Sequence, residues 1–161
     1  MNKQHKLQKG FTLVELLVVI AIIGILATLL LLQLGVARQR ARDAKRIVDI
    51  NQVRTATELY FDDNGQYPQI TTFAALGVLY VPKYLTQMPV DPLNTGNYSY
   101  NYAFNGQTKF QLWAELEQFA QALKSDADIN STGWSGQIVN GALETCTPNA
   151  IDCVYDQGQN Q

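Results

Sequence analysis

The first third of the chain is dominated by one long apolar run. All 22 residues from 16 to 37, between Glu15 and Arg38, are uncharged. As an α-helix this run would be roughly 33 Å long, which is enough to cross a hydrocarbon core of about 30 Å. The core helix of a small soluble domain does not need such a length. The pattern therefore predicts a membrane-spanning helix.

The helical pattern continues beyond the apolar run. Apolar or small residues recur every three or four positions, and most basic side chains, Arg46 included, fall off this stripe. Its members are Ala37, Ala41, Ala44, Ile47, Val48, Val53, Ala56, Leu59 and Tyr60. The pair Asn64-Gly65, followed by Pro68, is typical of a helix end. We therefore predict one helix from about Phe11 to about Asp63, half in a membrane and half against a soluble domain.

The rest of the chain predicts a small antiparallel sheet. Alternating residues on either side of Asn105-Gly106 are typical of a β-hairpin. The predicted strands are residues 98–103, residues 110–117 and one around residues 154–155, with a helical turn at 72–76 and a loop at 80–97. Tyr98, Tyr100 and Tyr102 share one strand face, and Gln111, Trp113 and Glu115 lie on the non-apolar face of the next strand. The tyrosines are either sheet packing, which we favour, or a ligand platform.

Glu15 is a costly residue in the apolar helix. A carboxylate in hydrocarbon costs several kcal/mol unless it is paired or lies near the interface. Either Glu15 reaches headgroup water, or it needs a cation at the same depth. A cut after Gly10 would supply that cation as the α-amino group of Phe11. In a bundle of such helices, Glu15 of one chain would then pair with the amine of its neighbour, and this pairing would drive assembly.

The segment KGFTLVELLVVIAIIGILA, residues 9–27, resembles the amino terminus of type IV pilins and type II secretion pseudopilins. Residues 41–68 and 80–102 extend the resemblance, so that it covers roughly residues 7–115. The resemblance implies that a prepilin peptidase cleaves after Gly10 and methylates the amine of Phe11. It also implies that Glu15 is the assembly carboxylate. One departure is Leu32, where many members carry a helix-kinking proline.

The resemblance implies a pilin-like α+β fold, with one long helix packed on a small antiparallel sheet and a carboxy-terminal disulfide loop. Four segments follow: a leader at 1–10, a transmembrane and assembly part at 11–37, an amphipathic part at 38–64, and an extracytoplasmic globular region at 65–161. Counting flanking charges alone would place the amino terminus outside. We overrule that count because the resemblance places the leader in the cytoplasm, and because a cysteine pair fits an oxidising compartment.

Composition excludes most enzyme chemistry. The one histidine, His5, lies in the predicted leader, so the mature chain would lack the base of a Ser-His-Asp or Cys-His mechanism. It would also lack an imidazole ligand for zinc. Residues 1–54 carry 9 basic and 3 acidic side chains, whereas residues 55–161 carry 3 basic and 11 acidic ones. Catalysis by carboxylates alone has no positive support, and we expect no enzyme.

Two further features concern the carboxy-terminal third. Cys146 and Cys153 enclose six residues, and we favour a disulfide over redox activity because the spacing is not C-x-x-C. Asp126 and Asp128 begin a run that fails the EF-hand pattern. The run nevertheless resembles the acidic calcium loop of major pseudopilins, without the Gly-rich stretch that they carry upstream. No cofactor is required, and calcium at these residues is weighed against a solvated acidic turn.

The sequence is compatible with three functions. The favoured one is a structural subunit that assembles, after leader cleavage, into a type IV pilus. The alternative is the major pseudopilin of a type II secretion or DNA-uptake pseudopilus, and a distant one is a single-pass membrane-anchored binding protein. The expected partners are identical or related subunits, a prepilin peptidase, the cytoplasmic membrane and inner-membrane assembly machinery. No specific nucleic acid is inferred. The expected location is the membrane before assembly, then an extracytoplasmic or cell-surface filament.

Overall fold

The computed structural model describes residues 10–148 and 150–160. Residues 1–9 of the predicted leader and the side chain of Leu32 lie outside the described part. The elements in chain order are α1 (Leu13–Asn64), α2 (Leu76–Tyr80), β1 (Tyr100–Asn105), β2 (Lys109–Glu115), a 3₁₀ helix (Gln121–Ser125), β3 (Ser135–Gly136) and β4 (Val154–Gln159). By internal contacts the chain divides into two compact units, the residues up to Arg38 and Gln39–Gln161.

α1 confirms the predicted long helix almost to the residue. It starts two residues after the predicted start and ends one residue after the predicted end. Gly65 has a φ of 70°, and its N–H donates to the Phe61 carbonyl at 2.7 Å. A glycine in the left-handed region just past a helix is the usual way to satisfy the last carbonyls. The Asn-Gly signal therefore marks the real end of the helix.

The sheet is antiparallel, with strand order β3-β1-β2-β4. β1 and β2 form the predicted hairpin, in which Asn105 lies opposite Lys109 and Tyr100 opposite Ala114. β4 lies along β2, so the strand suggested by residues 154–155 is confirmed and extends further, to Gln159. The two-residue strand β3 was not predicted. The predicted fold class, a long helix with a small antiparallel sheet, is confirmed.

The core of Gln39–Gln161 lies between the second half of α1 and one face of the sheet. Ile50, Val53 and Ala56 of α1 are buried against strand residues such as Tyr102 and Leu112. The hydroxyl of Tyr102 donates to the Pro68 carbonyl at 2.9 Å. The tyrosine stripe on β1 is therefore packed in the core, at least at Tyr100 and Tyr102, which supports sheet packing over a ligand platform.

The predicted apolar stripe of α1 is partly wrong. Val48 and Leu59 are 63% and 46% exposed, whereas Arg46, which we predicted to lie off the stripe, is fully buried. The buried face passes through residues 43, 46, 50, 53 and 57. The prediction from apolar residues alone was wrong here because three buried residues on this face, Asp43, Arg46 and Thr57, are charged or carry a hydroxyl. Hydrogen bonds to other segments satisfy them.

One further prediction needs correction, and one burial was not predicted. The helical turn expected at 72–76 appears instead as α2, Leu76–Tyr80, one turn later. The second face of the sheet is also buried, although its residues alternate as polar. Gln111 donates to the Ile129 carbonyl and Trp113 to the Gln137 carbonyl, both at 2.7 Å, because the chain around residues 129–137 covers this face.

Candidate functional site

The predicted cleavage site immediately precedes α1. Gly10 and Phe11 are both exposed, and Phe11 is 90% exposed. Both residues lie outside any helix or strand. A peptidase needs an accessible, extended or irregular backbone, and these residues provide one.

Glu15 lies in the first turn of α1 and forms a capping box with Thr12. Its Oε2 accepts the backbone N–H of Thr12 at 2.8 Å and the Thr12 hydroxyl at 2.7 Å. In return, the Glu15 N–H donates to Thr12 Oγ1 at 3.2 Å. This reciprocal pairing of Thr with Glu three residues later satisfies two amide donors of the helix start. Sequence analysis missed it, although the Thr-x-x-Glu spacing was available.

The capping box helps the apolar helix to tolerate the charged side chain of Glu15. One carboxylate oxygen is already hydrogen-bonded within the chain, so part of its desolvation cost is offset before assembly. Among the described residues, Oε1 has no hydrogen-bond partner. Glu15 therefore keeps one oxygen available for a cation while Thr12 holds the carboxylate at the helix start.

Most side chains in the apolar half of α1 are exposed. Of the described side chains from Leu13 to Leu34, fifteen large aliphatic ones are at least 45% exposed. Of the helices in the described residues, α1 alone contains a stretch long and apolar enough to cross a membrane. An exposed apolar surface of this length needs lipid or other apolar helices around it.

A buried arginine, Arg46, is the centre of an ion network near the start of Gln39–Gln161. Its Nε lies 2.6 Å from Oδ2 of Asp91, and its Nη2 lies 3.1 Å from Oδ1 of the same carboxylate. Nη1 reaches Asp43 at 2.7 Å and Glu117 at 2.9 Å. Arg42 adds a bidentate pair to Glu117, with both distances 2.6 Å. The network connects one helix turn to two loops that are distant in sequence.

The carboxyl groups of the network have pKa values shifted in different directions: those of Asp91 and Glu117 are lowered, and that of Asp43 is raised. Burial opposes ionisation of Asp91 and Glu117, but the hydrogen bonds from Arg46 and Arg42 outweigh it, so both pKa values lie below their ordinary range. Burial raises the pKa of Asp43 above its ordinary value, despite Arg46 and two backbone N–H donors. Ionised Asp91 and Glu117 therefore belong to the stable form of the protein.

The predicted disulfide is present between Cys146 and Cys153. Glu115 on β2 supports the loop, since its Oε1 accepts the backbone N–H groups of Asp152 at 3.2 Å and Cys153 at 3.0 Å. Burial raises the pKa of Glu115 to about 7. The Asp152 carboxylate binds the Thr147 backbone N–H at 2.8 Å and the Thr147 hydroxyl. The loop is thus a tied structural element, which supports a structural role over a redox role.

Asp126 and Asp128 lie together, as the calcium hypothesis requires, and Glu144 joins them. One carboxylate oxygen from each of the three lies within 4.8 Å of the others. Oδ1 of Asp126 is buried without a hydrogen-bond partner among the described residues. Burial and the neighbouring carboxylates, Asp156 first among them, raise the pKa of Asp126 to about 7. Sequence spacing could not reveal Glu144, which is 16 positions beyond Asp128.

The chemistry of this acidic cluster fits a hard cation. Calcium takes oxygen ligands, including carboxylates, in flexible geometry. Three carboxylates with one orphaned buried oxygen provide such donors. Nearby Asp156 is less available, because its oxygens already accept from Gln111, Asp128 and Ile129 at 2.7 to 2.9 Å.

Comparison with known proteins gives the same class as the helix and the capping box. A family model described as the prokaryotic N-terminal methylation motif matches residues 5–31. The chain is 36% identical to the type II secretion system core protein G of Dickeya chrysanthemi over 129 residues, which cover 80% of this chain and 79% of that protein. The chain therefore belongs to the family of type IV pilins and type II secretion pseudopilins.

Both branches of the family are represented among the relatives. A type IV major pilin protein of Neisseria gonorrhoeae is 30% identical over 147 residues, which cover 80% of each chain. The type IV wide pilus major component of Thermus thermophilus is 49% identical over 59 residues, covering 37% of this chain and 45% of that protein. No solved structure matches the chain at a significant level.

Proposed function

We propose that this protein is a structural subunit of a type IV pilus. Cleavage after Gly10 frees the amine of Phe11, which is methylated. Residues 11–37 anchor the subunit in the cytoplasmic membrane and then pack in the filament, while the globular region lies outside the cytoplasm. Prepilin peptidase and the inner-membrane assembly machinery act on it before assembly, and no catalytic role or required cofactor is assigned to it. The observation that carries this proposal is the exposed apolar helix, whose first turn contains Glu15 and which directly follows the exposed Gly10 and Phe11.

Glu15 performs two roles in this proposal. Thr12 holds one of its oxygens, and the other oxygen receives the Phe11 amine of a neighbouring subunit. Charge-assisted hydrogen bonds are stronger where water is excluded. The pair would therefore fix the axial position of one helix relative to the next, in a site where helix packing alone gives little register.

Three substitutions separate these two roles. Glu15→Ala should be processed normally but yield no sheared filaments. Thr12→Val removes the capping hydroxyl and leaves the carboxylate, so it should retain assembly if intermolecular pairing matters most. Asp62→Ala, which removes an exposed carboxylate from the other end of α1, is the matched control and should assemble normally. Wild-type filament yield from Glu15→Ala would contradict the proposal, and equal losses in Glu15→Ala and Thr12→Val would reduce Glu15 to a helix cap.

The acidic cluster favours a second candidate, the major pseudopilin of a secretion or DNA-uptake pseudopilus. Asp126 and Asp128 lie in a loop that resembles the calcium loop of those proteins. The relative from Dickeya chrysanthemi, named a type II secretion core protein, covers most of the chain. The two candidates differ in the expected product: a pilus subunit is recovered in sheared surface filaments, whereas a pseudopilin stays in the cell envelope.

We further propose that Asp126, Asp128 and Glu144 hold calcium in either candidate. The ion would neutralise mutual repulsion among the carboxylates and would join the loop at 126–128 to the segment before the disulfide. Calcium should raise the melting temperature of the full chain in detergent, and magnesium should do so less. The gain should disappear in Asp128→Asn and Glu144→Gln but persist in Asp152→Asn, whose carboxylate lies outside the cluster. No shift with calcium, or an equal shift in all variants, would contradict the site.

A further inference from the structure

The basic residues that follow the membrane segment are unequally engaged. Arg42 and Arg46 bind carboxylates within the chain, and Lys45 lies 2.5 Å from Asp49. Arg40 is exposed and forms no ion pair or hydrogen bond with any residue in the described ranges. Carboxylates within the chain thus bind Arg42, Lys45 and Arg46, whereas Arg40 is free to bind an anion.

The chain after β2 is fastened beside the first turns of Gln39–Gln161. The Gln118 amide donates to Oε1 of Gln39 at 2.6 Å. The backbone N–H groups of Glu117 and Gln118 donate to Asp43 at 2.9 and 3.1 Å. These bonds fix the position of the next residue, Phe119, next to the helix. Its ring nevertheless remains 49% exposed.

Phe119 borders a small open groove with an apolar floor and one basic residue, Arg40, in its lining. The groove has a volume of about 260 Å³, and Ala44, Ile47 and Ala120 also line it. Asp43 is part of the lining as well, but its carboxylate already accepts from Arg46 and from two backbone N–H groups. Lys124 Nζ lies 5.8 Å from the centroid of the Phe119 ring. A half-exposed aromatic ring with a lysine over it, bordering a groove that contains an arginine and apolar side chains, suits a molecule that has both an anionic and an apolar part.

Chain connectivity limits how far Arg40 can lie from the end of the uncharged run. Arg40 is three residues beyond Ala37, the last residue of the uncharged run. A residue spans at most about 3.6 Å of chain, so Arg40 lies within roughly 11 Å of that end. The headgroup layer on each side of the hydrocarbon core is about 5–7 Å deep. Arg40 is therefore within reach of lipid phosphates.

We propose that the groove binds an anionic phospholipid of the leaflet on which the globular region rests. Arg40 and Lys124 bind the phosphate, and Phe119 with Ile47 contacts the glycerol and upper acyl chain. Aromatic side chains favour the interfacial region of bilayers, and basic residues near an anionic surface are attracted to it. Bound in this way, the subunit is oriented on the membrane before assembly. The proposal depends on the membrane anchoring of residues 11–37 in the proposed function.

The test uses the full chain in lipid nanodiscs with a photoreactive probe. Phe119 is replaced by p-benzoylphenylalanine, which reacts with whatever lies next to it, and the adducts are identified by mass spectrometry. The discs contain either phosphatidylcholine alone or an equal mixture with phosphatidylglycerol. The control probe replaces Val78 on α2, which is 86% exposed. This control position lies far from Arg40. Tyr80 of α2 is hydrogen-bonded to Thr57 of α1, and Thr57 is 17 residues, or roughly 25 Å, further along α1 than Arg40.

The expected result is a lipid adduct at position 119 that is several-fold more abundant with phosphatidylglycerol. Arg40→Gln combined with Lys124→Gln should reduce it to the level seen in phosphatidylcholine. The Val78 probe should give little lipid adduct in either disc. Equal lipid adducts at both positions, no dependence on lipid charge, or adducts only to a second copy of the chain would overturn the proposal. A chain that did not insert into the discs would contradict both the membrane anchoring of residues 11–37 and the lipid site. A chain that inserted but gave no lipid adduct would contradict the lipid site alone and would leave the proposed role in filament assembly standing.

Discussion

Replacement of Arg46 with methionine is the substitution with the largest expected effect on the globular region. Methionine fills most of the volume of the buried side chain but removes its charge. The variant loses four close contacts, to Asp91 at 2.6 and 3.1 Å, to Asp43 at 2.7 Å and to Glu117 at 2.9 Å. Removing one partner of a buried ion pair costs about 3–5 kcal/mol, because the remaining charge is left uncompensated.

Other hydrogen bonds limit the expected loss. Asp91 still accepts from the N–H groups of Leu93 and Asn94, at 2.8 and 3.1 Å, and Glu117 keeps its bidentate pair with Arg42. We therefore expect the free energy of unfolding to fall by about 3 kcal/mol, the lower end of that range. Arg54→Met is the matched control. It removes an exposed arginine with one hydrogen bond to Gln157, and surface changes of this kind stay within about 0.5 kcal/mol.

The assay is urea unfolding of the full chain in detergent, followed by tryptophan fluorescence from pH 3 to pH 7. In the wild type the lowered pKa values of Asp91 and Glu117 give stability that is present above their unfolded values and is lost as the pH falls through the folded ones. Much of that stability depends on Arg46. The difference in the free energy of unfolding between wild type and Arg46→Met should therefore become smaller toward pH 3. A loss below about 1 kcal/mol at pH 7, or a difference independent of pH, would refute the importance of the network.

Further predictions concern the sheet and the disulfide loop. Folding raises the pKa of the buried Glu115 carboxyl from 4.5 to about 7. The contribution of Glu115 to the free energy of unfolding should therefore be greatest below pH 4.5 and should fall by roughly 3 kcal/mol as the pH rises to 7. Glu115→Gln should flatten that dependence in the same urea titration, and an unchanged slope would contradict it. Replacing Cys146 and Cys153 by serine should lower the free energy of unfolding by about 2–3 kcal/mol, and no change in the urea midpoint would contradict a stabilising loop. An added Cβ at Gly158 would lie 2.1 Å from the Phe110 carbonyl oxygen. Gly158→Ala should therefore destabilise β4 by about 1–3 kcal/mol or more, and wild-type melting would show that the strand can shift.

The elements that sequence predicted well are those whose signals are local. The length of α1 follows from an uninterrupted apolar run and from the helix-ending Asn64-Gly65 pair. The β1–β2 hairpin follows from alternation around Asn105-Gly106. The capping box at Thr12 and Glu15 is equally local, but the membrane cost and the intermolecular pairing of Glu15 do not depend on it and so did not reveal it.

The elements that sequence did not predict depend on contacts between distant segments. Arg46 is polar by type, and two of its three carboxylate partners lie 45 and 71 positions away. Gln111 and Trp113 alternate like an exposed face, yet carbonyl groups of a later segment satisfy them. Glu144 joins the acidic cluster through the fold alone. No periodicity within a single segment encodes such pairings.

The most direct test of the central claim is mass spectrometry of the amino-terminal peptide from native membranes and from sheared surface material. A processed pilus subunit would begin at methylated Phe11 in both fractions, with strong recovery in the sheared one. Processed chain confined to the cell envelope would favour the pseudopilus over the pilus. A chain that still begins at Met1 in membranes would contradict the account, because Glu15 would then have no neighbouring amine with which to pair.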